Sequence, residues 1–197
     1  MKISEELRFK LMSKLKPLIS KIEQNRTYKS VTVVLDGRCA SGKSTAAKLL
    51  SEHFCASVVH TDDFFLPFDK RTQKRLDEPG GNTDYERFKD EVVSRLHEKR
   101  DIEYGKFDCS LGRITSRISC AYTDVIIIEG SYSMHPYYGN YGDIYAFFDV
   151  DKDEQQRRIL ERNGAGALEI FNAKWIPLEE KYFEHSRVRE RADLVLK

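Results

Sequence analysis

The chain has 197 residues, 40% of them hydrophobic and 33% charged, which suffices for one compact core and is short for two. Its 33 Lys plus Arg against 32 Asp plus Glu leave a formal charge of +1, so no overall field draws it to nucleic acid or to an anionic membrane, and neither is expected as a partner. No window approaches the ~20 apolar residues of a membrane span, and the charged N-terminus lacks an apolar signal core, so a cytoplasmic protein is expected.

The first element is an amphipathic helix: Ile3, Leu7, Leu11, Leu15, Leu18 and Ile22 recur every three or four positions, with Pro17 as a point of bending or splitting. Residues 1–25 read as a helical extension that covers the sheet of a single domain spanning residues 1–197. Val31 to Leu35 is a short β-branched run of the kind that forms a strand buried on both faces. The apolar runs Ser57 to His60, Val125 to Ile128, Ile144 to Val150 and Leu194 to Leu196 continue the series. They alternate with helical patterns over Asp84 to Glu98, Lys152 to Arg162 and Leu168 to His185. This alternation predicts an α/β fold: a parallel sheet of about five strands with helices on both faces. Asp69 to Thr83, rich in charge, Gly and Pro, reads as a loop beside a functional edge. The four cysteines, Cys39, Cys55, Cys109 and Cys120, and the five histidines have no metal-ligand spacing, and the thiols are expected reduced and buried.

Between the first strand and the next helix, Gly37-Arg38-Cys39-Ala40-Ser41-Gly42-Lys43-Ser44 matches GxxxxGK[ST] at every position, and Thr45 continues into the helix. Such a loop aims successive backbone N–H groups at phosphate oxygens, backed by the positive end of a helix dipole. Lys43 is expected to reach the β- and γ-phosphates and Ser44 to ligate Mg²⁺. A guanine-reading [NT]KxD sequence is absent, and Asp77-Glu78-Pro79-Gly80 follows no strand, which argues against a GTPase switch. A motor needs a larger body than this chain provides.

Two acidic groups fall where an open α/β sheet binds ligands, at the carboxyl ends of its strands, and an arginine group lies on a later helix. Asp62 and Asp63 follow the second strand, as a base or metal group for a hydroxyl acceptor or as a solvated turn. Glu129, ending Val125-Ile126-Ile127-Ile128-Glu129-Gly130, is a candidate Mg²⁺ ligand. Arg158 and Arg162, four apart on one helix face, are either lid cations or ordinary surface residues. Tyr132, Tyr137, Tyr138, Tyr141 and His135 are either an acceptor wall or aromatic packing, whereas Asp149, Asp151, Trp175, Ile176 and Phe183 read as structural.

The P-loop near the N-terminus, Asp62-Asp63-Phe64-Phe65-Leu66-Pro67, the apolar run ending in Glu129-Gly130 and the arginine-rich helix together resemble the uridine kinase-like P-loop kinases. That branch also includes nicotinamide riboside kinases, bacterial pantothenate kinases and phosphoribulokinases. The resemblance runs from about Val31 to the C-terminus. It implies a three-layer P-loop NTPase fold with a small lid at residues 152–167, hinged at Gly164 and Gly166, and ATP with Mg²⁺ as cofactors. It further implies Asp62 as general base, with Asp63 the neighbour able to displace it. Ser44, Asp62 and Glu129 would sit around Mg²⁺, with Lys43, Arg158 and Arg162 stabilising charge. Family members hold the acceptor with an acidic residue and an aromatic, for which the nearest counterparts are Asp84 and Phe107-Asp108, with Tyr132 beside them. Nucleoside kinases carry Tyr-Asp where this chain has Phe107-Asp108, and a glycine-rich segment replaces their His-Pro acceptor motif. The expected activity is transfer of the γ-phosphoryl group to a hydroxyl of a small molecule, a nucleoside first. A pantothenate- or sugar-like acceptor and a regulatory nucleotide-binding module are the alternatives, and self-association is left open.

Overall fold

A computed structural model describes residues 5–27 and 29–197, and for Leu7 the backbone only. Helix α1 (Glu5–Arg26) runs through Pro17 without interruption. Ile3 and the Leu7 side chain of the expected stripe lie outside the described residues. Strands β1 (Val31–Gly37), β2 (Ser57–His60), β5 (Val125–Glu129), β6 (Ile144–Phe148) and β7 (Leu194–Leu196) form one parallel sheet in the order β2-β5-β1-β6-β7. β1 and β5 are buried at every position, which is why their sequences are continuous apolar runs rather than alternating ones.

Each face of the sheet carries its own core. On one face α1 and α2 (Lys43–Phe54) bring Leu15, Leu18, Ile22, Leu49 and Leu50 against Val33, Leu35 and Ile127. On the other, Phe88, Val92 and Leu96 from α4 (residues 85–98, with a π turn at Lys89–Val93) pack with Ile126, Ile128, Tyr182 and Phe183. Tyr182 and Phe183 belong to α6 (residues 165–186), which α5 (Lys152–Asn163) precedes across Gly164 at φ 83°, and the chain turns through α7 (Val188–Arg191) into β7.

Two stretches differ from the sequence expectation. The segment 69–83 is organised rather than loose: Thr72 caps the short helix α3 (Gln73–Leu76), and the Arg75 guanidinium donates to Gly81 O, Thr83 O and Glu86. Strands β3 (Ile102–Asp108) and β4 (Arg113–Cys120) form an antiparallel hairpin that the sequence reading omitted. The thiols are free, as expected, but not buried: Cys55 and Cys109 are exposed, and Cys39 and Cys120 are half-buried. Cys55 sits in the left-handed turn that ends α2, and Cys109 in the hairpin turn, both at the surface.

Candidate active site

The carboxyl ends of β1, β2 and β5 open into a cleft of about 1390 Å³. Its floor is the loop between β1 and α2. Gly37 takes φ 132°, and a Cβ there would fall 2.1 Å from Phe148 O, so the loop can leave the sheet at this point only without a side chain. Gly42 takes φ 102° and gives α2 no side-chain cap, which leaves the first-turn N–H groups of the helix for a ligand. Lys43 is buried, and its Nζ donates to Gly37 O at 2.6 Å and Arg38 O at 2.8 Å, two of the three donors an ammonium carries. Cys39, Ala40, Ser41, Gly42, Lys43, Ser44 and Thr45 all line the cleft. Arg38 instead turns away to pair with Asp149 Oδ1 at 2.9 Å and with Glu180.

Acidic groups gather beside this loop. Ser44 Oγ donates to Glu129 Oε2 at 3.1 Å, and the other carboxylate oxygen of Glu129 lies 2.5 Å from His60 Nδ1. Glu129 is buried, and its contact with His60 raises the histidine above its ordinary pKa. Asp62 lies on the cleft wall and is exposed to the cleft. Withdrawal from bulk water, and then the charge of Glu129, push its carboxyl up to about 6, while Lys43 opposes both.

Asp63, one residue on, faces elsewhere: it is buried and accepts from the Tyr104 hydroxyl at 3.2 Å, and its backbone O accepts from Arg87 at 2.8 Å. The adjacent acids are thus separated by the turn Thr61–Phe64, and only Asp62 borders the cleft.

The arginine helix closes the opposite side. Arg158 donates to Ala40 O at 3.0 Å and to Glu154 at 2.7 Å, which sets its guanidinium against the phosphate loop. Arg162 also lines the cleft and donates to Asn163, and Arg157 is held by Glu154 and Glu161.

The residues expected to hold the acceptor divide. Phe107 and Tyr132 line the cleft. Asp84 does not: it is buried as the N-cap of α4, accepting from Arg87 N and facing Lys70. Asp108 is also off the cleft wall, its carboxylate accepting from Ser110 N, Ser110 Oγ and Leu111 N, which fixes the hairpin turn. Of the aromatic group after Glu129, Tyr138 and Tyr141 pack against Phe88 in the core. His135 stacks on Tyr85, where burial pulls its pKa down to about 4.

Several cleft residues are not singled out by the sequence or are read as structural there, among the latter Asp149 and Asp151, which line the cleft. Glu179, buried on α6, accepts from Cys39 N at 2.9 Å and from Ser131 Oγ at 2.7 Å, tying the phosphate loop to the loop after β5. Its signal is a carboxylate four and three residues before Phe183 and Tyr182, on the buried face of an amphipathic helix. Trp175, taken as structural, lines the cleft, as do Arg71 and Asn82. On the far side the cleft reaches Lys10, Leu11, Lys14 and Leu15 of α1 and Leu196 and Lys197 at the chain end.

Ser44, Glu129 and Asp62 suit Mg²⁺ in chemistry. All three present hard oxygen donors, and the repulsion that raises Asp62 is of the kind a divalent cation relieves. Among the described residues no cluster of three His, Cys, Asp or Glu forms a complete cage. An ion held by one or two protein oxygens and completed by nucleotide phosphates requires none.

No family model and no curated protein sequence matches the chain. Solved structures do. A possible uridine kinase from Bacillus stearothermophilus superposes with a TM-score of 0.65 at 19% identity, covering 92% of this chain and 100% of its own. A candidate fructose transport system kinase from Silicibacter sp. TM1040 gives 0.62 at 23% identity, with 86% and 90% covered. The D-glycerate 3-kinase from Cryptococcus neoformans var. grubii gives 0.58 at 14% identity, with 89% of each chain covered. The chain therefore shares its three-layer α/β P-loop fold with these three structures.

Proposed function

We propose that this protein transfers the γ-phosphoryl group of ATP to a hydroxyl of a small molecule, with Mg²⁺ as the metal. The observation that carries the reading is the convergence of Lys43, Ser44, Glu129 and Asp62 on one cleft partly walled by Phe65, Phe68, Phe107 and Tyr132: a phosphate cradle, metal-suited oxygens and a carboxylate of raised proton affinity face one acceptor space. In this reading the loop N–H groups and Lys43 hold the phosphates. Ser44 and Glu129 would hold Mg²⁺, which would supply positive charge to the phosphates when bound.

Asp62 accepts the proton of the acceptor hydroxyl as the new O–P bond forms and the bond from the γ-phosphorus to the bridging oxygen of ADP breaks. Its raised proton affinity suits that task, because a base titrating near the working pH is both ionised and able to take a proton. Arg158 and Arg162 add positive charge beside the loop as the lid helices exclude water. A nucleoside is the first acceptor class by resemblance, although Asp108, one of the residues on which that assignment drew, is engaged in its own turn.

The test is ADP release from ATP·Mg²⁺ by wild type and Lys43→Ala, with nucleosides, pantothenate and sugar alcohols each in turn. Stimulation by an acceptor that disappears in the variant supports transfer. A wild-type rate that no acceptor raises favours a regulatory nucleotide-binding module instead.

A further inference from the structure

Four arginines line the cleft, and two of them, the exposed Arg162 and the half-buried Arg71, form no ion pair among the described residues. Arg157 and Arg158 pair with Glu154, and Arg162 donates to Asn163. Arg71 forms no ion pair among the described residues. Its Nε donates to Leu66 O at 2.8 Å, and its guanidinium carbon lies 4.3 Å from the centre of the Phe68 ring and 6.0 Å from that of Phe107. This one backbone bond and the rings fix the plane of the fork and leave both terminal nitrogens without a hydrogen bond among the described residues. Partial burial without a partner disfavours the charge, as the downward shift of its pKa records, and an anionic ligand would reverse that.

Two further observations locate the ligand. Asn82 is on the same cleft lining, 5% exposed; its side chain lies near the Tyr132 hydroxyl, but its Nδ2 makes no hydrogen bond of normal geometry among the described residues. The Cys109 thiol, also on the cleft lining, lies within electrostatic reach of both Arg71 and Asp62, so the three border one part of the cleft. Phe65, Phe68 and Phe107 wall that part and keep the local dielectric low, which strengthens a guanidinium–anion contact.

We propose that the acceptor carries an anionic oxygen group, a carboxylate or a phosphate, which Arg71 grips with Asn82 as a further donor while the reacting hydroxyl extends toward Asp62. The inference rests on the phosphotransfer reading and narrows its substrate class. A neutral nucleoside would leave Arg71 unpaired. If Arg71 serves only to prop Phe68 and Phe107, ligand charge has no effect.

The test is isothermal titration of the full chain, with ADP·Mg²⁺ present, using glycerate against glycerol and ribose 5-phosphate against ribose, in wild type, Arg71→Gln and Arg71→Lys. At least one charged compound is expected to bind about tenfold or more tightly than its neutral partner, and the responding pair distinguishes carboxylate from phosphate. Arg71→Gln removes the preference. Arg71→Lys, which keeps the charge but not the fork, restores part of it. Equal binding within both pairs, a preference that survives in Arg71→Gln, or no binding by either charged compound overturns the proposal. ADP release with ATP in the same mixtures separates the two readings. A charge preference without ADP release leaves the anion site standing and sinks phosphotransfer; ADP release with the neutral compounds alone does the reverse.

Discussion

Substituting Asp62 with Asn tests the chemistry at its centre, and the structure sets the size of the effect. A carboxylate titrating at about 6 is about one tenth ionised at about pH 5 and about nine tenths at about pH 7. If the ionised form is the base, kcat/KM of the wild type rises about tenfold between those values and then levels. An aspartate at its ordinary position of 3.8 would give an almost flat profile over the same range. His60 is also titratable and is held above its ordinary 6.5 by Glu129, so the profile is measured in His60→Asn as well; an acidic limb that persists there belongs to Asp62. Asp62→Asn should lower transfer by about 10²- to 10⁴-fold, the usual contribution of a positioned base. ADP binding should remain, read from the fluorescence of Trp175, the one tryptophan in the chain and part of the cleft wall.

The stability consequence has the opposite sign from that of a salt-bridged aspartate. Because the folded-state pKa is raised, the stabilising contribution of Asp62 is fully present below about 3.8 and is lost as pH rises through about 6. Asp62→Asn should therefore not lower the thermal midpoint of the nucleotide-free protein at neutral pH. A flat wild-type profile, or near-normal turnover by the variant, refutes the assignment of the base.

Glu129→Gln keeps the shape of the acid that accepts from Ser44 but removes its charge, so the Mg²⁺ concentration for half-maximal ADP release should rise about 10- to 100-fold, measured by metal titration. The same variant frees His60 from its raised state, and its pKa, followed by NMR, should fall back toward 6.5. Leu18→Ala removes a fully buried side chain of α1 from the core it shares with α2 and should cost about 2–5 kcal/mol in denaturant unfolding; a loss of only a few tenths would mean that α1 is not integral to the folded unit.

The parts of this molecule that were legible in the sequence are contiguous in it. A strand buried on both faces has to be an apolar run, and a phosphate loop has to be an unbroken stretch between strand and helix, so β1, β5 and residues 37–44 announce themselves. The β3–β4 hairpin did not. β4 is mostly exposed and carries only Ile114, Ile118 and Cys120 as apolar residues on one face, a weak strand signal; β3 alternates more strongly, with Ile102, Tyr104 and Phe107 buried and Glu103 and Lys106 exposed, but a register shift at Lys106/Phe107 breaks its period. Glu179, Arg71 and Asn82 reach the cleft only through tertiary packing, at positions whose local pattern is that of a helix face or a turn.

The two aspartates after β2 mark the limit most sharply. Adjacent residues in a tight helical turn point in different directions, and Asp63 is drawn away because the hairpin brings the buried Tyr104 hydroxyl against it. What separates Asp62 from Asp63 is therefore the hairpin that the sequence concealed. The choice of base and the missing strands were one unknown rather than two.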